Sequence, residues 1–153
     1  MNTIHAHQCH VGGNDKMAPV WKCKPNSEDA MPVIGIDHVQ LAMPAAHEDA
    51  ARRFYGDILG LIELPKPTDL AARGGVWFLC GAVQLHLGVE KEFRPARKAH
   101  PGLVVDKLAP LIAALTEAGH NVKPDTPIAG FTRIFTEDPF GNRIELLEPD
   151  RET

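Results

Sequence analysis

This sequence contains little of what would stabilise a small secreted domain or carry a chain into a membrane. It has three cysteines in 153 residues, and they are odd in number and scattered: Cys9, Cys23 and Cys80. Such a set argues against a disulfide framework. No apolar run approaches the roughly 20 residues of a membrane-spanning helix, and the N-terminus lacks the apolar core of a signal peptide. We therefore expect a cytoplasmic protein that does not associate with membranes.

Positive charge is also scarce. Lys and Arg number 16 against 20 Asp and Glu, which gives a formal net charge of −4. This balance excludes the basic surplus typical of nucleic-acid-binding proteins. The hydrophobic fraction of 44% is enough for one ordinary core in a chain of this length. We predict a single folded domain with no nucleic-acid partner.

The beginning of the chain does not share the patterns found in the rest. Residues 1–32 show no helical or strand period, so we predict a flexible N-terminal extension that precedes a folded domain over residues 33–150. Five potential metal ligands of the histidine and cysteine type lie in this extension: His5, His7, Cys9, His10 and Cys23. They lack the paired spacing of structural zinc sites, so we interpret them as an adventitious metal-binding tail.

The folded part repeats one order of elements, strand–helix–three strands, twice. The first copy is predicted from a strand at 36–42, a helix at 46–59, and strands at 61–64, 75–80 and 82–87. The second is predicted from a strand at 100–105, a helix capped by Asp106, a short strand at 120–122, and a hairpin at 132–136 and 142–147. We predict two βαβββ modules, residues 34–89 and 99–149, joined by a connector at 90–98.

The closing hairpin is the most informative stretch. Residues 138–142 predict a turn, because the proline presets φ and the glycine supplies a positive φ. On the strand that follows, Ile144 and Leu146 face one side, whereas Arg143 and Glu145 face the other. A carboxylate in mid-strand is expected to be half buried, and such a group needs a partner or a metal.

The two modules also place a polar pair at nearly the same separation. His38 and Gln84 lie 46 residues apart in the first module, and His100 and Glu145 lie 45 residues apart in the second. Each pair joins the first and fourth strands of its predicted module. Two unrelated core residues would rarely repeat that spacing, so the pairs are candidates for one shared site.

Three segments, in this order and spacing, resemble the vicinal oxygen chelate superfamily of glyoxalases, bleomycin resistance proteins and extradiol dioxygenases. They are Ile36-Asp37-His38-Val39, the helix end from Phe54-Tyr55 to Leu59-Gly60, and the stretch from Asp138 to Glu145. The resemblance covers about residues 33–149. It implies an α+β fold in which two βαβββ modules form an eight-stranded, cup-shaped mixed sheet, and it implies a homodimer.

The resemblance further implies one divalent metal per site (Zn, Ni, Mn or Fe), held by His38, Gln84, His100 and Glu145. Two imidazoles and a carboxylate suit these ions and leave positions open for two substrate oxygens. Gln84 stands where the commonest glyoxalase pattern has glutamate. With one carboxylate the site keeps a formal charge near +1, which favours an anionic substrate.

Further residues are candidates for the chemistry around that metal. Glu145 and His86 are the candidates for moving protons. His86 is compatible with three roles: a ligand, a substrate-facing acid or base, or a hydrogen-bonded wall residue. Arg143 is the foremost anion-binding candidate, because it alternates in phase with Glu145. The full set of candidate substrate-binding residues is Gln40, Trp77, Arg94, Phe131, Arg133 and Arg143.

The resemblance favours a divalent-metal-dependent lyase or isomerase of the glyoxalase type, acting on a small, oxygen-chelating, anionic substrate. One alternative is an Fe(II)-dependent dioxygenase, although the single tyrosine, Tyr55, is predicted on a helix. Another is a metal-free protein that binds a small molecule such as a drug. A fosfomycin-type thiol transferase fits less well, because the sequence shows no clustered Lys, Ser and Tyr contacts for a phosphonate.

Overall fold

A computed structural model describes residues 33–150, so the predicted extension at 1–32 lies outside the described residues. The first module contains β1 (His38–Met43), α1 (Glu48–Ala51), a π-helical segment (Arg52–Ile58), β2 (Ile62–Leu64), α2 (Thr68–Ala71), β3 (Val76–Cys80) and β4 (Val83–Val89). The second contains β5 (Gly102–Val104), α3 (Leu108–Glu117), β6 (Val122–Pro124), β7 (Phe131–Glu137) and β8 (Arg143–Pro149). Within this range, no helix is long and apolar enough to cross a membrane.

The strands form two four-stranded mixed sheets. Sheet A has the order β1-β4-β3-β2 and sheet B the order β5-β8-β7-β6. In each sheet the first strand runs parallel to the fourth, and the other pairs are antiparallel. The predicted α+β fold of two βαβββ modules is confirmed. The eight strands do not join into one sheet within residues 33–150, because β1 and β5 are outer edges that do not pair with each other.

Each sheet has one packed face and one open face, as strand alternation requires. The packed face of sheet A carries fully buried side chains such as Phe78 and Leu87, and that of sheet B carries Ile144 and Leu146. The opposite faces carry the polar side chains that the sequence predicted as site residues. The sequence predicted this division of side chains between two faces for β8. It brings the candidate residues of each module onto a single surface.

The closing turn ties the two modules together. The Tyr55 hydroxyl donates a hydrogen bond of 2.8 Å to Asp138 Oδ2. The Asn142 side-chain amide donates to the same carboxylate oxygen and to the Ala42 carbonyl, each at 2.8 Å. Tyr55 is fully buried, and Asp138 and Asn142 are each about 5% exposed. The Asp-Pro-Phe-Gly-Asn turn therefore links β8 to the helix and first strand of the other module.

Several boundaries differ from those predicted. The predicted helix at 46–59 continues past Ala51 as a π-helix with an i→i+5 bond from Leu59 N to Phe54 O of 2.9 Å. Helix α3 begins at Leu108, and Glu148 rather than Asp106 accepts the Leu108 amide, at 2.7 Å. A carboxylate from a neighbouring strand satisfies an end-of-helix donor as well as a local cap does.

Candidate metal centre

The open face of sheet A carries the polar residues of the first module. His38 and Gln84 are direct partners in the parallel pairing of β1 and β4. Two residues further along, His86 lies opposite Gln40 on β1 and Trp77 on β3. Strand alternation therefore gathers His38, Gln84, His86 and Trp77 on one surface.

The three rings on this face form a stack with His86 at its centre. The His86 ring lies 4.3 Å from His38 and 4.1 Å from Trp77, with interplanar angles of 15° and 6°. His86 is only 5% exposed, and its Nε2 lies 2.9 Å from Gln84 Oε1. Desolvation, followed by the positive potential of His38, lowers the pKa of His86. The central imidazole is therefore held in its neutral, metal-binding form.

The open face of sheet B carries the second pair of candidate ligands, His100 and Glu145. Glu145 pairs with Gly102 on β5 and with Phe135 on β7. His100 lies just before β5, rather than on the strand as predicted, yet its Nε2 reaches to 3.3 Å from Glu145 Oε2. The Glu145 side chain is 12% exposed, so the predicted half-buried carboxylate is confirmed.

Arg133 and Arg143 flank Phe135 on the same face but differ in their partners. Arg133 contacts Glu145 Oε1 at 2.7 Å, Asp125 at 3.0 Å and the Thr126 carbonyl at 2.8 Å. The Arg143 guanidinium lies over the Phe135 ring, 3.7 Å from its centroid. Within residues 33–150, Arg143 makes no hydrogen bond or ion pair. Only one of the two arginines therefore has its donors engaged.

The ring nitrogens of both outer histidines are arranged as metal ligands require. His38 Nδ1 lies 2.8 Å from Asp37 Oδ1, and His100 Nδ1 lies 2.8 Å from the Lys98 carbonyl. A partner on Nδ1 fixes the ring and leaves Nε2 to face a ligand. The donor chemistry of each half therefore suits a divalent ion.

The two halves are not joined within one copy of the chain. Among residues 33–150, no three His, Cys, Asp or Glu side chains meet in a group that could hold a metal. The His38 half lies on sheet A and the His100 half on sheet B. The four residues predicted to meet at one metal are thus present as two pairs, each incomplete.

Strand register reveals a correspondence that sequence spacing missed. Because Gly102 pairs with Glu145, His100 precedes the partner of Glu145 by two residues. In sheet A, His38 pairs with Gln84, so the residue in the matching position is His86. By this register Glu145 corresponds to His86, and Arg143 corresponds to Gln84.

The remaining candidates lie at varying distances from these pairs. Gln40 is on the His38 face and packs so closely on Gly88 that a Cβ there would lie 2.7 Å from its Nε2. Phe131 shares the Arg133 face but lies at the far end of β7, opposite Pro149. Arg94 is exposed on the connector.

Sequence reasoning missed the partners that orient the histidines. Asp37 adjoins His38 in the sequence, so its role could have been inferred from adjacency alone. Phe135 was also missed as a member of the site, although it alternates in phase with Arg133 on the same predicted strand. The Lys98 carbonyl had no sequence signal, because a backbone acceptor carries none.

Comparison with known proteins identifies the family and the fold. A model of the Glyoxalase/Bleomycin resistance protein/Dioxygenase superfamily matches residues 35–146. A protein of Bacillus anthracis assigned to the glyoxalase family is 45% identical, with a TM-score of 0.72 over 77% of this chain and 97% of its own. Among curated proteins, none matches this sequence.

Two more distant structures show the same fold in proteins named for different roles. A lactoylglutathione lyase from Agrobacterium tumefaciens is 23% identical, with a TM-score of 0.57 over 77% of this chain and 96% of its own. TnmS3, an antibiotic-binding protein from a Streptomyces species, is 21% identical, with a TM-score of 0.57 over 78% and 99%. Because the superfamily model covers residues 35–146 and the Bacillus anthracis protein is 45% identical, this chain belongs to the Glyoxalase/Bleomycin resistance protein/Dioxygenase superfamily.

Proposed function

We propose that this chain is a divalent-metal-dependent lyase or isomerase of the glyoxalase type, acting on a small anionic substrate that chelates through two oxygens. The observation that carries this proposal is the pair His100 and Glu145, whose Nε2 and Oε2 lie 3.3 Å apart. The His100 ring is oriented by the Lys98 carbonyl. A second oriented imidazole, His38, lies on the other sheet.

The metal ligands in this proposal are His38, His86, His100 and Glu145. The register supports His86 over Gln84, because His86 occupies the position that corresponds to Glu145. Gln84 then holds the His86 ring through its 2.9 Å hydrogen bond. Hydrogen-bond partners of this kind orient ligands and are nearly as important as the ligands themselves.

A second copy of the chain would complete each site. Large apolar side chains remain exposed on the open faces: Ile62 and Val104 at 66% each, and Leu79 at 39%. Exposed apolar residues beside unpaired edge strands mark surfaces that another chain covers. In a two-fold dimer, sheet A of one copy would face sheet B of the other, giving two equal sites.

A bound divalent ion would polarise a chelating carbonyl and stabilise the charge that develops when a neighbouring proton is removed. The protein supplies Glu145 as the base, with its Oε1 fixed by Arg133. His86, kept neutral by burial, adds no positive charge. One carboxylate and three neutral imidazoles leave a divalent site near a formal +1, which attracts an anionic substrate.

Metal content tests this proposal directly. The full chain is prepared with the histidines and cysteines of the extension, His5, His7, Cys9, His10 and Cys23, changed to alanine. We expect about one divalent ion per chain, lost in His38→Ala and in Glu145→Ala but kept in the exposed surface variant Arg53→Ala. The metal-loaded protein should exchange the proton beside the carbonyl of a 2-oxo acid with deuterium in heavy water.

The outcomes separate the candidate functions. Deuterium exchange that disappears in Glu145→Gln, which keeps an oxygen for the metal but cannot take up the proton, supports the lyase or isomerase. Oxygen uptake with a catechol in the presence of Fe(II), without deuterium exchange, would show instead that the protein is a dioxygenase. Absence of any bound metal after supplementation would leave the metal-free binding protein, a role for which the antibiotic-binding TnmS3 shows that the fold is suited.

A further inference from the structure

Arg143 has an unusual environment for a half-buried arginine. Its guanidinium lies over the Phe135 ring, with no carboxylate partner in the described part of the chain, whereas Arg133, which also contacts this ring, reaches two carboxylates. A guanidinium has five N–H donors in a fixed fork. In Arg143 those donors are held in position by the ring below and are not engaged by the protein.

A cavity of about 350 Å³ opens beside this guanidinium. Its polar lining includes Asn121, Lys123 and Arg143, and Phe135 forms an apolar wall. Both acidic side chains in the lining already have cationic partners: Glu137 lies 3.6 Å from Lys123, and Asp125 lies 3.0 Å from Arg133. The cavity therefore offers an unpaired cation and amide donors at a size suited to a small ligand.

We propose that this cavity is a carboxylate-binding subsite, and that the substrate is a small 2-oxo or 2-hydroxy acid that carries a second carboxylate. The proposal rests on the proposed function for the end of the substrate that would chelate a metal at Glu145. Arg143 takes the other end through paired N–H···O bonds, which a guanidinium makes best with a planar oxyanion.

Strand geometry sets the length of this substrate. Arg143 and Glu145 are two residues apart on the same face of β8, so their Cα atoms are about 6.8 Å apart. One or two methylene groups between the chelating head and the distal carboxylate, together with a metal–oxygen bond of about 2.1 Å and a hydrogen bond of about 2.9 Å, cover a distance of that order. Because both residues belong to the same strand, the spacing is the same whether a site is built from one copy or two.

The test compares two ligands that differ only at the far end. Mn²⁺-loaded full-length protein, with the extension residues replaced as above, is titrated with 2-oxoglutarate and with 2-oxobutyrate, which lacks the distal carboxylate. We expect 2-oxoglutarate to bind roughly 10-fold more tightly or better, the value of one charge-assisted hydrogen-bonded pair. The preference should vanish in Arg143→Met, which keeps contact with Phe135, and persist in the control Arg53→Ala.

Two results would overturn the subsite: equal affinity for the two acids in the protein that retains Arg143, or a preference for 2-oxoglutarate that survives in Arg143→Met. A partial preference in Arg143→Lys, with circular dichroism unchanged, would attribute the effect to the cation rather than to folding. If Mn²⁺ binds but no preference exists, the subsite fails and the proposed function stands. If Mn²⁺ does not bind, yet glutarate binds and Arg143→Met abolishes this, the proposed function fails and the subsite stands.

Discussion

At the scale of single residues, His86 and Gln84 are alternative candidates for one metal-ligand position, and a hydrogen bond joins them. His86 Nε2 and Gln84 Oε1 lie 2.9 Å apart. If His86 binds the metal, it does so through Nδ1 while its Nε2–H continues to donate to Gln84 Oε1, and if Gln84 Oε1 binds the metal, the same hydrogen bond from His86 orients the amide. The ring stack with Trp77 and His38 holds the imidazole in place for either arrangement.

Two variants distinguish these arrangements. We expect His86→Ala to weaken Mn²⁺ binding by about 100-fold or more, because a ligand is lost, and Gln84→Ala by about 10-fold, the usual cost of losing an orienting partner. Equilibrium dialysis of both proteins against Mn²⁺ gives the two dissociation constants. The reverse order, with Gln84→Ala the more severe change, would assign the ligand to Gln84.

At the scale of secondary-structure elements, the buried group formed by Tyr55, Asp138 and Asn142 joins the π-helical segment to the closing turn. Desolvation raises the pKa of the Asp138 carboxyl, while the bonds from Asn142 and Tyr55 act in the opposite direction. The folded protein thus holds a proton on Asp138 more tightly than the unfolded chain does. The stability that comes from this carboxyl is full at low pH and falls as the pH rises through its folded pKa.

Removing the tyrosine hydroxyl should expose this dependence. In Tyr55→Phe the Asp138 carboxylate loses a donor, so we expect a loss of about 2 kcal/mol in the free energy of unfolding at pH 7. Because the pKa of Asp138 is raised above its ordinary value of 3.8, more than half of the folded molecules carry the proton at pH 3.8, and the loss should fall to about half or less. Urea unfolding at both pH values and one protein concentration measures this. Equal losses would show that the hydroxyl acts through packing alone.

The elements could largely be predicted from the sequence, but their register could not. Alternation on β8 correctly separated Ile144 and Leu146 from Glu145, because a period of two is a local property of the chain. The equal spacing of the polar pairs suggested that Gln84 corresponds to Glu145. The structure has a short helix, Thr68–Ala71, before β3 in the first module only, so equal separations along the chain do not give equal positions across the sheets.

At the scale of the whole molecule, the described part of one copy of the chain presents two separate pairs of candidate ligands, one on each sheet. The sequence predicted both pairs of residues, but pairing between edges is a long-range property that no local pattern encodes. Neither β1 nor β5 has a partner on its outer side within residues 33–150. The open faces and free edges are what a two-fold assembly would use.

Mixing two inactive proteins tests whether the site is shared. A His38→Ala chain and a Glu145→Ala chain each lack one half of every site in their own homodimers. If each site takes sheet A from one copy and sheet B from the other, unfolding and refolding them together restores about a quarter of the metal sites, since half of the random dimers carry one intact site. No recovery, in a mixture shown by sedimentation to be dimeric, would place the whole site within one chain.

The register relation between the modules has a consequence for how this protein can change through evolution. One backbone position holds an imidazole in the first module and a carboxylate in the second, and the position two residues earlier holds an amide and a guanidinium. A point mutation in either module therefore alters one of these side chains and leaves the corresponding side chain of the other module intact. The duplicated scaffold would allow the proposed ligand set and the proposed anion specificity to diverge separately, by single substitutions in different halves of one gene.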